Sequence, residues 1–377
     1  MPPLSLYVHI PWCIKKCPYC DFNSHTAKTE LPETRYINAV LADLSADVAR
    51  YAIDRPIQSI FIGGGTPSLF SPEAINLLLT GIKQRTTLVD HAEITLEANP
   101  GTFESAKFKE FNALGINRLS IGVQSFNEDL LKKLGRVHSG KEATKAAEIA
   151  HAAGFNNFNL DLMFGLPAAK AGDSEQDITT AIQLEPTHIS FYQLTLEPNT
   201  LFHKFPPKLP DDEFIFTTQK HCQSQLAENN YQQYEISAYS QADRECRHNL
   251  NYWQFGDYLG IGAGAHGKIT RHLPNQIIRT AKAKSPENYI NKPTNNASTQ
   301  VITIDELPLE FVMNQLRLRR GFSLNDYQTV TGLDATTLQP SLSNCENQKL
   351  LQLENGFFTC TDKGWNYLDT VLGNFIP

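Results

Sequence analysis

The sequence predicts an α/β fold in which parallel strands alternate with helices over residues 1–200. Short runs rich in β-branched and aromatic residues alternate with longer segments whose apolar residues recur at helical spacing. Glycine or proline marks the ends of most segments, and glycine-rich or polar motifs follow the strand-like runs. This alternation is typical of parallel strands joined by crossover helices, with functional sites at the carboxyl ends of the strands.

Each predicted element follows from one of these patterns, in chain order. The predicted strands are Leu4–Ile10, Ile57–Ile62, Glu93–Leu96, Arg118–Val123, Phe158–Met163 and His188–Leu194. The predicted helices are Glu33–Ala52, Pro72–Arg85, Ser105–Leu114, Gly140–Ala153 and Glu175–Leu184. Leu31 and Pro32 favour the start of the first helix, while Gly115 and Gly154 favour the ends of the third and fourth.

The C-terminal part of the chain has a different pattern. Ser285–Gln300 is rich in Asn, Pro, Thr and Ser, which predicts a linker. Beyond it the sequence predicts helices at Leu307–Arg319, Leu324–Thr331, Leu338–Cys345 and Trp365–Leu372, and a short strand at Phe357–Cys360. We therefore expect three regions: a barrel-like unit at 1–200, an extension at 201–284, and a linker with a small helical domain at 285–377.

Composition narrows the classes of protein that the chain can represent. It has 377 residues, 41% of them hydrophobic, and a net charge of −7, which argues against broad binding of nucleic acid. No apolar run has the length of a transmembrane helix, and the N-terminus does not have the pattern of a signal peptide. We expect a cytoplasmic protein with reduced thiols. Arg317, Arg319 and Arg320 form either a solvated helix end or a transient contact with acidic lipid or a partner.

The segment Tyr7–Asn23 holds three of the seven cysteines in C-x3-C-x2-C order: Cys13, Cys17 and Cys20. Three thiolates on one short loop suit an iron–sulfur cluster, and a [4Fe–4S] cube with only three protein ligands leaves one iron open. Zinc is the alternative, with His9 or His25 as a further ligand. Core thiols or a disulfide are two other interpretations, although nothing marks the chain as secreted.

Motifs at the other strand ends suggest a ligand pocket. Gly63-Gly64-Gly65 lets the backbone approach a ligand closely, or simply makes a tight turn, and no Gly-Lys-Ser/Thr follows that would make it a phosphate loop. Polar residues stand at or just after the next strands: Glu97, Gln124, Arg136 and Asp161. Carboxylates accept hydrogen bonds from ribose hydroxyls and arginine pairs with a carboxylate, but each residue alone also suits a cap or a loop salt bridge.

These motifs resemble the radical SAM superfamily, because the C-x3-C-x2-C motif follows a first strand and an aromatic residue, Tyr19, precedes its last cysteine. The resemblance implies an open (β/α)6 partial barrel. It also implies that Cys13, Cys17 and Cys20 hold a [4Fe–4S] cluster whose open iron is chelated by S-adenosylmethionine (SAM). In that superfamily the glycine segment takes the methionine amino group of SAM.

Within the superfamily, the chain resembles the anaerobic coproporphyrinogen oxidase family. The segments that carry this resemblance are Y-V-H-I-P, G-G-G-T-P, L-E-A-N-P, R-L-S-I-G-V-Q-S-F, D-L-M-F-G-L-P and L-G-I-G-A-G-A. By motif position, the cofactor-binding residues that it implies are Tyr7, Tyr19, Gly64, Gly65, Thr66, Glu97, Gln124, Arg136 and Asp161. The C-terminal domain resembles the winged-helix-like tail of the family.

Two departures favour the heme chaperone branch of this family over its oxidase branch. Cys20 is followed by Asp21 and Phe22, whereas oxidases have Gly and a further Cys there. Only six residues precede Tyr7, whereas oxidases carry an N-terminal extension that helps to cover the substrate. Residues 247–253 contain H-N-x2-Y-W, a pattern that resembles the chaperone branch. Its residues His248, Asn249, Tyr252 and Trp253 are candidates for heme contact, because imidazole ligates heme iron and aromatic rings pack on porphyrin.

Other interpretations of the same segments remain open. His248 and Asn249 also suit a structural role in which their hydrogen bonds fix a loop, and Cys246 is a weaker candidate ligand. Leu259–Gly267 lacks the frame of a dinucleotide site and is expected to close the cofactor pocket, with His266 as a loop residue.

The resemblance implies a protein that binds a [4Fe–4S] cluster, SAM and heme. Its expected task is delivery of heme to apo-hemoproteins, including membrane respiratory enzymes. The alternative is an oxygen-independent coproporphyrinogen III oxidase, which would use a radical derived from SAM for oxidative decarboxylation. A radical enzyme with another substrate is a third interpretation.

Overall fold

A computed structural model describes residues 1–27, 30–101, 105–272, 275–294 and 298–376. Its strands are β1 (Leu4–Ile10), β2 (Trp12–Cys13), β3 (His25–Thr26), β4 (Ile57–Gly64), β5 (Leu88–Ala98), β6 (Arg118–Gln124), β7 (Phe158–Phe164), β8 (His188–Gln193), β9 (Gln232–Glu235), β10 (Ala238–Ser240), β11 (Asp257–Ile261), β12 (His266–His272), β13 (Asn275–Ala281), β14 (Ser298–Val301), β15 (Leu351–Glu354) and β16 (Phe357–Cys360). Its helices are α1 (Glu33–Arg50), α2 (Pro72–Arg85), α3 (Phe108–Ala113), α4 (Glu128–Leu134), α5 (Gly140–Ala152), α6 (Asp173–Gln183), α7 (Leu201–Lys204), α8 (Asp212–Glu228), α9 (Arg247–Trp253), α10 (Pro286–Asn291), α11 (Leu307–Gln315), α12 (Leu324–Thr331), α13 (Ser341–Asn347), α14 (Asp362–Asn366) and α15 (Leu368–Gly373).

The predicted parallel strands form the centre of one large sheet. Strands β1, β4, β5, β6, β7 and β8 are neighbours in this order and all pair in parallel. Apolar residues of β1 such as Leu6 and Val8 are fully buried, as expected of strands covered on both faces. All six carboxyl ends therefore lie on one rim, and the α/β partial-barrel prediction is confirmed.

Residues 201–284, together with β14, extend this sheet at both edges. On one side β11 pairs in parallel with β1, and β12, β13 and β14 follow in antiparallel order. On the other side β10 and β9 add antiparallel strands beyond β8. The sequence pattern predicts none of these strands as separate elements. The region boundaries at residues 200 and 284 stay predictions.

The C-terminal helices α11–α15 and the hairpin β15–β16 enclose a second apolar core. Its centre includes Phe311, Phe322, Tyr327 and Leu338, all fully buried. This arrangement agrees with the predicted small helical domain with a wing.

The predicted linker at 285–300 is wrong in part. It contains α10, which Ser285 caps by accepting a hydrogen bond from the Asn288 backbone N–H, and the edge strand β14. Residues 295–297 of the predicted linker lie outside the described residues.

A buried ion pair ties this C-terminal side of the sheet to α1. The ammonium group of Lys282 lies 2.7 Å from carboxylate oxygens of both Asp43 and Asp47. Tyr289 on α10 donates a hydrogen bond to Asp43 at 2.6 Å. Burial lowers the pKa of Lys282, but the two carboxylates outweigh it and raise that pKa overall. Lys282 therefore stays charged and neutralises part of the α1 carboxylate pair.

Replacing Lys282 with alanine should destabilise the fold strongly. Lys282→Ala leaves the buried Asp43 without a cation and Asp47 with only the partly exposed Arg50, and loss of a buried partner costs about 3–5 kcal/mol in similar cases. Urea unfolding should show this as a lower midpoint. The matched control is Lys284→Ala, since Lys284 is exposed. Equal midpoints for the two variants would contradict a stabilising role for the buried pair.

Candidate functional site

The predicted cysteines lie on the loop between β1 and α1, which we call the cysteine loop (Pro11–Ala27). Two backbone hydrogen bonds close its base: His25 N–H donates to Pro11 O at 2.7 Å and Ala27 N–H to Cys13 O at 2.9 Å. Cys13 is buried, whereas Cys17 and Cys20 are half-buried, and all three thiols line one cavity. Burial raises the pKa of Cys13 and of Cys20. The structure thus brings the three predicted thiols together at the rim of the barrel.

A second set of contacts braces the cysteine loop from behind. His9 on β1 bonds through Nε2 to Asn23 O at 2.9 Å and through Nδ1 to the Tyr7 hydroxyl at 2.9 Å. The Asn23 side chain donates to Ala263 O and to Lys284 O, both at 2.9 Å. Burial lowers the pKa of His9 to about 4, so the ring is neutral near pH 7. Because both of its nitrogens are hydrogen-bonded, His9 is not placed to serve as the zinc ligand that the sequence allows.

The glycine turn (Gly63–Thr66) approaches the cysteine loop at backbone distance. Gly65 N–H donates to Ile10 O at 2.8 Å, and Thr66 N–H donates to Trp12 O at 2.7 Å. A Cβ at Gly65 would lie 2.5 Å from Trp12 O, and one at Gly64 would lie 2.4 Å from the His9 ring. The glycines therefore permit a close packing of two strand ends, in addition to leaving backbone accessible in the cavity.

The cavity between these loops has a volume of about 350 Å³. Predicted residues that line it are Cys13, Cys17, Tyr19, Cys20, Gly64, Gly65, Thr66, Glu97, Gln124, Arg136, Asp161, Asn249 and Trp253. Tyr7 is the exception among the predicted cofactor residues, since it lines a neighbouring cavity on the other side of the cysteine loop.

Arg136 connects the thiols to the strand ends. Its Nη1 lies 3.6 Å from Cys17 Sγ, and its Nη2 donates to Asn99 Oδ1 at 2.7 Å and to Gly122 O at 2.6 Å. Asn99 in turn donates to the Thr66 hydroxyl at 2.8 Å. Arg136 Nε is buried and has no hydrogen-bond partner among the described residues. An unpaired buried donor is costly, so this atom is suited to bind an acceptor on a ligand.

Two carboxylates make the floor of the cavity acidic. Glu97 accepts a hydrogen bond from Gly64 N–H at 2.8 Å, and burial with the nearby Asp161 charge raises the pKa of Glu97 to about 7. Burial also raises the pKa of Asp161, against hydrogen bonds from Asn159 and Ser120. Both groups retain acceptor capacity that a polyhydroxylated or cationic ligand would use.

Gln124 has a strained backbone at the end of β6. Its φ is +70°, and the pairing of β6 with β7 shifts register between Gly122 and Gln124. Such bulges re-aim side chains at functional sites. The Gln124 side chain accepts a hydrogen bond from the Tyr192 hydroxyl at 2.8 Å.

Several residues of the cavity are missing from the sequence prediction. Asn99, Ser120, Ser190, Tyr192, Glu235 and Arg317 line it. A period-two pattern on β6 would have indicated Ser120, because it lies on the same face of the strand as Gly122. Arg317 comes from the C-terminal domain, where the sequence allowed a solvated helix end or a partner contact. Instead its guanidinium lies 4.3 Å from the centre of the Trp253 ring and pairs with Glu235 at 3.1 Å.

The H-N-x2-Y-W motif forms α9 and divides into two faces. His248 is 1% exposed, and its ring bonds to the Ser59 hydroxyl at 3.0 Å and to the Tyr252 hydroxyl at 2.8 Å. Burial, reinforced by Arg118, lowers the pKa of His248 to about 3. Asn249 and Trp253 instead line the cavity. These contacts fit the structural role that the sequence left open for His248, and heme contact by the motif stays a prediction.

The sequence predicts that the segment Leu259–Gly267 closes the cofactor pocket, but in the structure this segment lies behind the cysteine loop. It forms β11, a turn and the start of β12, and its Ala263 and Gly264 contact the back of the cysteine loop at Asn23. None of this segment lines the 350 Å³ cavity among the described residues.

Cys246, the weaker candidate ligand, is fully buried. Its Sγ lies 3.5 Å from Glu93 Oε1.

No three His, Cys, Asp or Glu side chains converge on a single metal-ion position within the part of the chain that the structure describes. The ligands of a cubane cluster each bind a different iron. Three thiols that line one cavity without converging on a single point suit a cluster better than a mononuclear metal site.

The fold and this rim define a radical SAM protein. Residues 7–180 match the radical SAM superfamily, and residues 302–367 match the HemN C-terminal domain. The structure of a coproporphyrinogen III oxidase (HemN) from Escherichia coli superposes with a TM-score of 0.83 over 99% of this chain and 90% of that one. At 21% identity this likeness shows the shared fold.

Full-length relatives identify the family more narrowly. The chain is 46% identical to a heme chaperone HemW from Escherichia coli over 100% of this chain and 99% of that protein. The corresponding protein of Haemophilus influenzae is also 46% identical, over 100% and 98%, and that of Bacillus subtilis is 34% identical, over 99% of each. The chain belongs to the HemW family. Among the described residues, no helix has both the length and the apolar character needed to cross a membrane.

The raised pKa of Glu97 predicts a pH-dependent stability. A carboxyl group whose pKa rises from 4.5 to about 7 on folding favours the folded state below pH 4.5, and this contribution is lost as the pH rises through 7. Glu97→Gln lacks the titration, so the variant should gain stability relative to the parent between about pH 5 and pH 8. The full effect is on the order of 3 kcal/mol.

Urea unfolding of both ligand-free proteins at several pH values measures this difference. Glu148→Gln, which removes an exposed carboxylate on α5, is the control for a general charge effect. A parent-minus-variant difference that stays constant from pH 5 to pH 8 would rule out the titration of Glu97.

Proposed function

We propose that the chain is a heme chaperone that binds heme, a [4Fe–4S] cluster and SAM, and delivers heme to apo-hemoproteins. The observation that carries this proposal is the 46% identity, over essentially the whole length of both chains, to heme chaperones HemW of two bacteria. The acceptors we propose include membrane respiratory enzymes, and the expected compartment is the cytoplasm.

Cys13, Cys17 and Cys20 would hold the cluster. Three thiols and no fourth cysteine line the cavity among the described residues, which fits a [4Fe–4S] cluster with one open iron. The Arg136 guanidinium lies 3.6 Å from Cys17 Sγ, where its positive charge would offset part of the negative charge of a cluster held by three thiolates. When bound, the cluster supplies a Lewis-acidic iron and the capacity to transfer one electron.

SAM would occupy the remainder of the same cavity. The unpaired Nε of Arg136 supports contact with its carboxylate, and Glu97 and Asp161 support acceptance of hydrogen bonds from ribose hydroxyls. The accessible backbone at Gly64 and Gly65 supports recognition of the methionine amino group. The half-buried acidic floor also favours a sulfonium cation electrostatically.

The oxidase alternative rests on the shared fold with a coproporphyrinogen III oxidase. The segment Cys20-Asp21-Phe22 argues against it, because this chain lacks the extra cysteine that oxidases of the family have at this point. An activity assay separates the two functions directly.

Heme-loaded protein should transfer heme to a heme-free b-type cytochrome faster than free hemin at the same concentration does. The same anaerobically reconstituted preparation, supplied with SAM, a reductant and coproporphyrinogen III, should form no protoporphyrinogen above the protein-free background. Absorbance of the acceptor cytochrome and chromatography of the porphyrins are the two readouts. Robust formation of protoporphyrinogen would favour the oxidase and reject the chaperone.

Replacing Gly65 with alanine should impair cluster assembly. Its Cβ would displace Trp12, and with it Cys13, because a contact of 2.5 Å to a backbone oxygen is not tolerated. Reconstituted wild type should contain about four irons per chain, and the variant clearly fewer. Gly373→Ala is the matched control, since nothing lies within 4 Å of its added Cβ. Equal iron content in the two variants would contradict the role assigned to the glycine turn.

A further inference from the structure

A second cavity opens beside the cysteine loop, on the side away from the three thiols. Its volume is about 640 Å³, larger than the thiol cavity and within the range of about 300–1,000 Å³ that is typical of small-molecule sites. The cluster and SAM that we propose for the first cavity do not account for it.

Flat aromatic side chains make up much of its wall. Tyr7, Tyr252 and Tyr258 line the cavity. The ring centres of Tyr252 and Tyr258 lie 4.3 Å apart, and the two rings meet edge to face at 61°. Phe22 also lines it and is 61% exposed, an unusual position for a large apolar side chain. Aromatic side chains that line a cavity of this size are suited to pack against a planar, largely apolar ligand such as a porphyrin.

An imidazole without an internal partner also faces this cavity. His266, the first residue of β12, is exposed, and its ring makes no hydrogen bond to any residue that the structure describes. Partial burial and the nearby Lys284 and Arg279 lower the pKa of His266, which favours the neutral ring. Neutral imidazole is the form that ligates iron.

Cations at the cavity complement the anionic groups of a porphyrin. Lys16 and Lys284 line the cavity, and Asp21 is the single carboxylate there among the residues that the structure describes. Lys16 donates to Phe22 O at 3.0 Å, which positions its ammonium group at the rim, and Lys284 is exposed. Two lysines are suited to pair with two propionate carboxylates, although exposed pairs contribute little energy and mainly orient the ligand.

We propose that this second cavity binds heme and that His266 supplies a ligand to its iron. The proposal rests on the proposed function, because the identity of the ligand follows from the heme chaperone assignment. It differs from the prediction based on the H-N-x2-Y-W motif, in which His248 is the first candidate. His248 is buried with both ring nitrogens engaged, whereas His266 is accessible.

This position would put heme next to the cluster site. Phe22 and Ser24 line both cavities, and Ser24 lies 3.6 Å from Cys20 Sγ through its hydroxyl. Because Phe22 and Ser24 are shared, a change in the cysteine loop on cluster assembly would also alter the wall of the proposed heme site.

Hemin titration of the full-length protein tests the proposal. The His266→Ala variant should lose the absorption spectrum of imidazole-ligated heme and bind hemin at least about tenfold more weakly than wild type. Added free imidazole should restore the spectrum, which a merely structural defect would not allow. His221→Ala is the matched control, because His221 is a surface histidine on α8 whose side chain is 65% exposed. It should match wild type.

The outcomes separate this proposal from the proposed function. If wild type binds hemin and His266→Ala keeps both its affinity and its spectrum, the assignment of His266 is wrong and the chaperone function stands. Loss of the imidazole-ligated spectrum in His248→Ala but not in His266→Ala would likewise overturn it. If wild type itself binds hemin no better than an unrelated protein does, the heme chaperone function fails.

Discussion

Two backbone hydrogen bonds between neighbouring strand ends determine where the chemistry of this protein lies. Gly65 and Thr66, which follow β4, donate to the carbonyl oxygens of Ile10, the last residue of β1, and of Trp12 in β2. The contact requires a residue without a side chain at position 65, since a Cβ there would lie 2.5 Å from Trp12 O. It fixes the direction in which Cys13 leaves the sheet. All three thiols consequently face the polar carboxyl ends of the parallel strands.

The cysteine loop is held from both sides, and this accounts for the two cavities. On one face Arg136 links Cys17 to the strand ends through Asn99 and Gly122. On the other face His9 and Asn23 connect the loop to β1 and to the turn after β11. The first face is charged and acceptor-rich, while the second is aromatic. The first surface therefore suits the small charged cofactor that we propose there, and the second suits the flat apolar ligand that we propose beside it.

The sequence predicts the parallel core well because its strands are apolar and its helices are periodic. β1 matches the prediction residue for residue, and the thiol cavity contains eight of the nine predicted cofactor residues; Tyr7 lies in the second cavity. Strands β9–β14 are not predicted, since segments such as β12 combine histidine, glycine, lysine and arginine with a single apolar side chain, Ile269. The two faces of the H-N-x2-Y-W motif follow from helical spacing, because His248 and Tyr252 are four residues apart, as are Asn249 and Trp253. That division becomes predictable only once the segment is known to be a helix.

We propose that three thiols of the cysteine loop hold an iron–sulfur cluster with one iron open to SAM. Electron paramagnetic resonance of the reduced, anaerobically reconstituted protein, with and without SAM, tests it most directly. We expect a cluster signal from about four irons per chain that changes when SAM is added. A colourless protein that contains zinc instead of iron, or a cluster signal that SAM leaves unchanged, would contradict it.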